Sequence, residues 1–203
     1  MDNEIQNLWK NFIDQHKKTH LENYIQLNSS ATVTDFVKFK KETNFDFPFS
    51  LKPIYELNNG QGSGIGLFFG LEFLSIDEII KQWKIWHDIH QEELSGKYKN
   101  LNQFCTSYPP KAIKVDYTND KWIPFSHDNG GNHIGIDLDP DVAGKIGQII
   151  NFGRDEDNKI VIAENTQEFL KICLKIYESD DLYKQIEKLH FIDYLKKEFR
   201  EKK

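Results

Sequence analysis

Cysteine is nearly missing from this 203-residue sequence: there are two, Cys105 and Cys173, far apart and without CxxC spacing. That excludes a disulfide framework and a cysteine-based zinc site, and it fits a reducing cytoplasm. No stretch approaches the ~18 consecutive apolar residues of a membrane-spanning helix, and the opening Met1-Asp2-Asn3-Glu4-Ile5 lacks the basic start and apolar run of a secretory signal. Neither a membrane partner nor export is expected. Positive charge is short as well. The 26 Lys and Arg against 32 Asp and Glu leave a formal charge of −6, which works against binding a phosphate backbone, so nucleic acid is not an expected partner.

Large side chains are plentiful. Hydrophobic residues make up 38% and aromatics 13%, with 15 Phe, 8 Tyr and 4 Trp, enough to build a substantial core. The acidic excess is local. Residues 116–168 carry eleven acidic and four basic side chains, whereas the last 17 residues carry six basic and four acidic ones. An acidic segment can keep a protein solvated or offer a docking surface to something basic.

The apolar spacing of Ile5, Leu8, Trp9, Phe12 and Ile13 predicts an amphipathic helix over 4–16, and Thr34 is placed to cap a second helix reaching about Asn44. A short helix is expected from Ser50 through Leu57, stopped by Asn58-Asn59-Gly60. Residues 65–69, short and aromatic, suit a buried strand. Ser75 and Glu78 have capping-box spacing before a long helix with Ile76, Ile79, Ile80, Trp83 and Trp86 on one face. Residues 97–112 are expected to be irregular, with Pro109-Pro110 forbidding helix. Short β-prone runs follow at 113–117, 121–126, 133–138, 147–152 and 160–163, then a helix opened by Asn165 and a terminal helix over 182–199 ending in a basic tail. The expected architecture is one α+β domain over 1–203. Its sheet is mainly antiparallel, of about five to six strands, with helices from both chain ends packed around it.

The most distinctive segment runs from Trp122 to Pro140. Asn129-Gly130-Gly131 tolerates the positive φ of a hairpin tip, and Asp128 can accept hydrogen bonds from the amides of the turn it starts. Asp137-Leu138-Asp139-Pro140 follows, then Gly147-Gln148-Ile149-Ile150; upstream lie Pro48, Leu51, Tyr55, Asn59-Gly60, Leu67-Phe68-Phe69-Gly70, Leu74-Ser75 and Trp83. In this order the pieces resemble the Smi/Knr branch of the SUKH superfamily over about residues 35–180. The resemblance implies a binding protein without a reaction of its own. Many members are immunity proteins that block a neighbouring toxin, and others are eukaryotic regulators of cell-wall synthesis and signalling.

Other constellations read as structural. The 60–66 glycine loop lacks GxGxxG spacing and a Walker Lys-Ser/Thr. His87, His90 and Glu93 share a helix face without a His-Glu-x-x-His motif, and Asp137, Asp139 and Asp141 lack the glycine and distal glutamate of a calcium loop. His133 and Asp137 fall on one strand face and could pair as a base, with no evident nucleophile. Cys173 sits in an apolar stripe, Cys105 has no evident activator, and Trp83 and Trp122 read as core anchors. No cofactor and no metal are expected.

The expected function is non-enzymatic: an immunity-type protein, monomeric or weakly self-associating, that neutralises a basic toxin domain, a nuclease being one candidate, through an acidic surface. Asp128, Asp137, Asp139, Asp155, Glu156 and Asp157 are the expected contacts, because opposite potentials speed association. Gly60, Trp83, Trp122, Gly130, Gly131, Pro140 and Gly147 are expected to hold the fold. The alternative is a regulatory scaffold that binds a cellular protein.

Overall fold

Helices enclose a sheet because apolar residues recur at helical spacing at both ends of the chain and at strand spacing between them. The computed structural model describes residues 2–19 and 25–201; the side chains at 2, 187 and 199–201 are outside that description, as are Lys202 and Lys203 of the expected basic tail. In chain order the elements are α1 (Asp2–Thr19), β1 (Gln26–Leu27), α2 (Val33–Thr43), α3 (Lys52–Tyr55), β2 (Gln61–Ser63), β3 (Glu72–Phe73), α4 (Ile76–Leu94) and β4 (Thr106–Tyr108). Then come β5 (Trp122–His127), β6 (Asn132–Asp137), β7 (Gln148–Gly153), β8 (Asn158–Ala163), α5 (Thr166–Tyr177), α6 (Asp180–Lys188) and α7 (Phe191–Glu201).

The main sheet has the order β3-β5-β6-β7-β8-β4 and is antiparallel except for β4, which pairs in parallel with β8; β1 and β2 form a separate ribbon. The α+β class and the mainly antiparallel sheet expected from the sequence are present. The central strands β5, β6 and β7 are buried almost throughout, so the sheet is covered on both faces. One face carries the main core. There α1 packs on α5, and Trp9, Phe12, Phe68 and Phe73 cluster with ring centroids 4.9 to 6.3 Å apart. The other face carries a smaller cluster of Ala112, Ile113, Trp122, Ile150 and Phe152. Among the described residues no helix is long and apolar enough to cross a membrane.

Local signals explain most boundaries. Ser75 caps α4 by accepting the Glu78 amide at 3.2 Å, and Asn165 caps α5 by accepting the Glu168 amide at 3.0 Å. Gly60, at φ +77°, brings its backbone so close to the α4 entry that a Cβ would lie 2.3 Å from the Ser75 nitrogen. Four expectations need correction. The second helix is capped by Thr32, not Thr34, in a reciprocal box with Asp35. Residues 65–69 enter a tight turn instead of a strand: Leu67 and Phe68 are buried but Ile65 is exposed, Phe69 is at φ 53° and Phe68 is bridged to Leu71. The 113–117 run is not a strand. The edge strand is Thr106–Tyr108, inside the segment expected to be irregular, and Ser107 Oγ accepts the Ile113 amide at 2.9 Å and so pins Ile113 into the smaller cluster. The terminal helix is two helices, because Leu189 is extended (φ −126°, ψ 144°), which lets α7 bury Phe191, Ile192, Tyr194 and Leu195.

Candidate functional site

The β5–β6 hairpin is organised by one carboxylate. Asp128 Oδ1 accepts the amides of Gly130 at 2.6 Å and Asn132 at 2.9 Å, and its Oδ2 accepts Asn132 Nδ2 at 2.8 Å. Partial burial alone would raise the Asp128 pKa, but these hydrogen bonds outweigh it and hold the carboxyl below its ordinary value. Asn129 (φ 61°) and Gly131 (φ 101°) supply the left-handed turn. The tip is then sewn to the β7–β8 turn: Asn132 Oδ1 accepts the Asp155 amide at 2.8 Å, and the Gly131 carbonyl accepts the Arg154 amide at 3.1 Å.

At the other end of β6 the motif closes on itself. Asp137 accepts the Asp139 amide at 2.8 Å and Gln148 Nε2 at 2.8 Å, and its carbonyl accepts the Gly147 amide at 2.8 Å. Burial pushes the Asp137 carboxyl up to about 6. Asp139, ahead of Pro140, receives Lys114 Nζ at 2.7 Å and Asn119 Nδ2 at 3.2 Å. Its burial is outweighed by Lys114, and its pKa is lowered.

Part of the acidic segment is paired from within the chain. Lys196 of α7 reaches Glu156 at 2.6 Å, His190 Nε2 lies 3.9 Å from Asp128 Oδ2, and Arg154 pairs with Asp155 at 2.9 Å. Asp137 and Glu156 are buried, which puts them out of reach of a partner, and Asp128 and Asp139 are largely covered. Asp155 is exposed and Asp157 half-buried, on the β7–β8 turn. One lysine of the basic C-terminal run, Lys196, thus reaches one glutamate of the acidic segment, a pairing that opposite charge runs in a sequence suggest but cannot locate.

His133 and Asp137 do share a face of β6 but do not meet. The Phe152 ring covers Gly135 between them, where a Cβ would lie 2.6 Å from the ring edge, and stacks on His133 at 5.3 Å. His133 Nε2 faces Gln82 Oε1 at 3.3 Å, while Nδ1 is buried without a partner. Burial, with His127 stacked 4.7 Å away, drives the His133 pKa down to about 3, so the imidazole is neutral. On α4, His87 pairs with Asp120 at 2.9 Å, whereas His90 and Glu93 both turn to Thr118 at 3.0 and 2.8 Å. Among the described residues no group of three His, Cys, Asp or Glu side chains is arranged to hold a metal ion. Trp83 and Trp122 are buried, Trp83 donating to the Asp120 carbonyl at 2.7 Å, and Cys173 lies in the core.

One surface feature escaped the sequence reading. Val33, Val37 and Phe49 are 79%, 61% and 68% exposed, and with Ala31, Phe36 and Phe47, beside the charged Lys40, Asp46, Lys52 and Glu56, they line a groove of about 570 Å³ between α2 and the 45–50 loop. The available signal was the pairing of Val33 with Val37 four residues apart, on a different side of α2 from the buried Phe39.

The segment from Pro48 through the hairpin to Gly147 lies within residues 30–172, which match the model of the SMI1 / KNR4 family (SUKH-1). The chain belongs to that family. The SMI1/KNR4 relatives it matches include the cell wall biosynthesis/cell cycle regulator smi1 of Schizosaccharomyces pombe, 34% identical over 172 residues, covering 81% of this chain and 34% of that protein. The cell wall assembly regulator SMI1 of Saccharomyces cerevisiae is 33% identical over 188 residues, covering 77% of this chain and 37% of that protein. A glucan synthesis regulatory protein of Neurospora crassa is 29% identical over 192 residues, covering 80% and 36%. The chain therefore spans about a third of the length of the curated relatives it matches. These relatives overturn the immunity reading and its toxin partner: they are named as fungal regulators of cell-wall or glucan synthesis. The similarity favours the regulatory alternative.

Proposed function

We propose that this chain is a protein-binding regulatory domain of the cell-wall type, which acts by presenting a surface and runs no reaction of its own. The observation that supports this most directly is how the motif spends its ionisable groups. Asp128, Asp137 and Asp139 are each held by neighbours within the chain, and His133 is buried and neutral. What the motif provides is a frame, and recognition falls to exposed side chains. The groove on α2 is the better-suited contact, since neighbouring exposed apolar side chains are the groups a partner can bury with gain. Asp155 and Asp157 stand on a separate turn and are assigned a lesser, rate-setting contribution.

The test is a chimera in which this chain replaces the matching segment of the Saccharomyces cerevisiae cell wall assembly regulator, scored for growth under cell-wall stress in cells lacking the native protein. Restored growth is expected, with Val37→Asp plus Phe49→Asp abolishing it at unchanged abundance and Asp155→Lys plus Asp157→Lys weakening it. A chimera as abundant as the native protein that restores nothing would overturn the reading.

A further inference from the structure

Lys159 points inward from β8. Its side chain is 1% exposed, yet its Nζ meets no carboxylate within salt-bridge distance among the described residues: it donates to the Glu156 carbonyl at 3.2 Å and lies 5.4 Å over the Trp122 ring. The Glu156 carboxylate is engaged by Lys196 and Asn151 instead. Desolvation accordingly lowers the Lys159 pKa and favours the neutral, nucleophilic amine. The remaining neighbour is Cys105 Sγ, at 3.4 Å. Cys105 is half-buried just before the edge strand β4, so a small oxidant can reach the sulfur from solvent while the amine waits behind it.

We propose that Cys105 and Lys159 form an oxidation-driven covalent link that ties β4 to β8, with hydrogen peroxide converting the thiol to a sulfenic acid whose sulfur the Lys159 amine then attacks. In the first step the sulfur takes one peroxide oxygen, the O–O bond breaks, and the other oxygen leaves as water; sulfur is oxidised by two electrons and peroxide is reduced. In the second, the nitrogen lone pair forms an S–N bond, the S–O bond breaks, and the departing hydroxide takes a proton from nitrogen as a second water. The sum is thiol plus amine plus one peroxide giving a sulfenamide and two waters. Burial raises the Cys105 thiol pKa, so the first step is the slow one at neutral pH.

The full chain, treated with hydrogen peroxide at mildly alkaline pH, is read by intact mass and peptide mapping. The expected product is lighter by about 2 Da, contains a peptide joined through Cys105 and Lys159, resists trypsin at Lys159, and reverts with dithiothreitol. Lys159→Arg and Lys159→Met should each lose the joined peptide and leave a sulfenic acid at Cys105 that dimedone labels. Since either variant can misfold, the wild-type map decides alone. Dimedone-labelled, sulfinic or unmodified Cys105 in wild type, with no joined peptide, would overturn the proposal, as would a sulfenamide formed to a backbone nitrogen.

Discussion

Along the β5–β6 hairpin, from Asp128 and His133 near the tip to Asp137 and Asp139 at the far end of β6, each of these groups is covered, hydrogen-bonded or held neutral. The groove beside α2, by contrast, offers Val33, Val37 and Phe49 to solvent. The first region has the residue types usually associated with chemistry and spends them on construction. The second mixes exposed apolar side chains with two exposed ion pairs, Lys40–Asp46 and Lys52–Glu56, and leaves its apolar area open to solvent. A dense motif of charged and glycine residues can thus mark where a chain must turn and pair, while exposed apolar area lies elsewhere on the surface.

The contrast is most strongly broken or sharpened by truncating the motif's apolar anchor. Trp122→Ala should cost about 3–5 kcal/mol of unfolding free energy, because the smaller cluster loses its largest side chain; denaturant titration checks it. Next is the pH response. The His133 pKa falls from 6.5 to about 3 on folding, so its unfolded form binds the proton first and stability is lost as pH drops through that window, by at most about 5 kcal/mol. Asp137 works the other way. Its folded pKa is raised from 3.8 to about 6, so its burial penalty is present above 6 and is relieved as pH falls toward 4, by up to about 3 kcal/mol. Between pH 7 and 4 the two largely offset each other, leaving an acid loss of about 1 kcal/mol that His133→Phe should reverse into a gain of about 2 kcal/mol, because only the Asp137 contribution then remains, measured by melting across that range.

A smaller effect, about 2 kcal/mol, is expected for Asp128→Ala, which frees two turn amides at a partly solvated tip. Asp128→Asn should recover part of it, since one acceptor oxygen remains. The smallest stability change belongs to the groove. Phe49→Asp and Val37→Asp should each stay within about 0.5 kcal/mol of wild type. A larger loss in thermal or denaturant unfolding would mean that these side chains support the fold.

The sequence shows the hairpin and the long helix because their causes are local: Asp128 bonds amides two and four residues on, and Ser75 caps α4 three residues on. Three features depend on distant partners and are silent in it. The strand β4 is three residues long and exists by pairing with β8, Thr106 opposite Asn158. The break at Leu189 interrupts an apolar period that runs through it unbroken, because burying Phe191 and Ile192 matters more than continuing the helix. The acidic run looked available because Lys196 and His190, which fold back on it, lie tens of residues away. The groove was missed for a simpler reason: an apolar pair on a helix looks the same whether it faces a core or a partner.

The division between frame and contact surface is tested most directly by measuring growth rescue and melting temperature together for Trp122→Ala, Asp128→Asn and the Val37→Asp/Phe49→Asp pair in the yeast chimera. The frame variants should lower the melting temperature and reduce rescue only as far as abundance falls, while the groove pair should melt as wild type does and rescue nothing. Full stability with lost rescue in the hairpin variants, beside normal rescue in the groove pair, would contradict it.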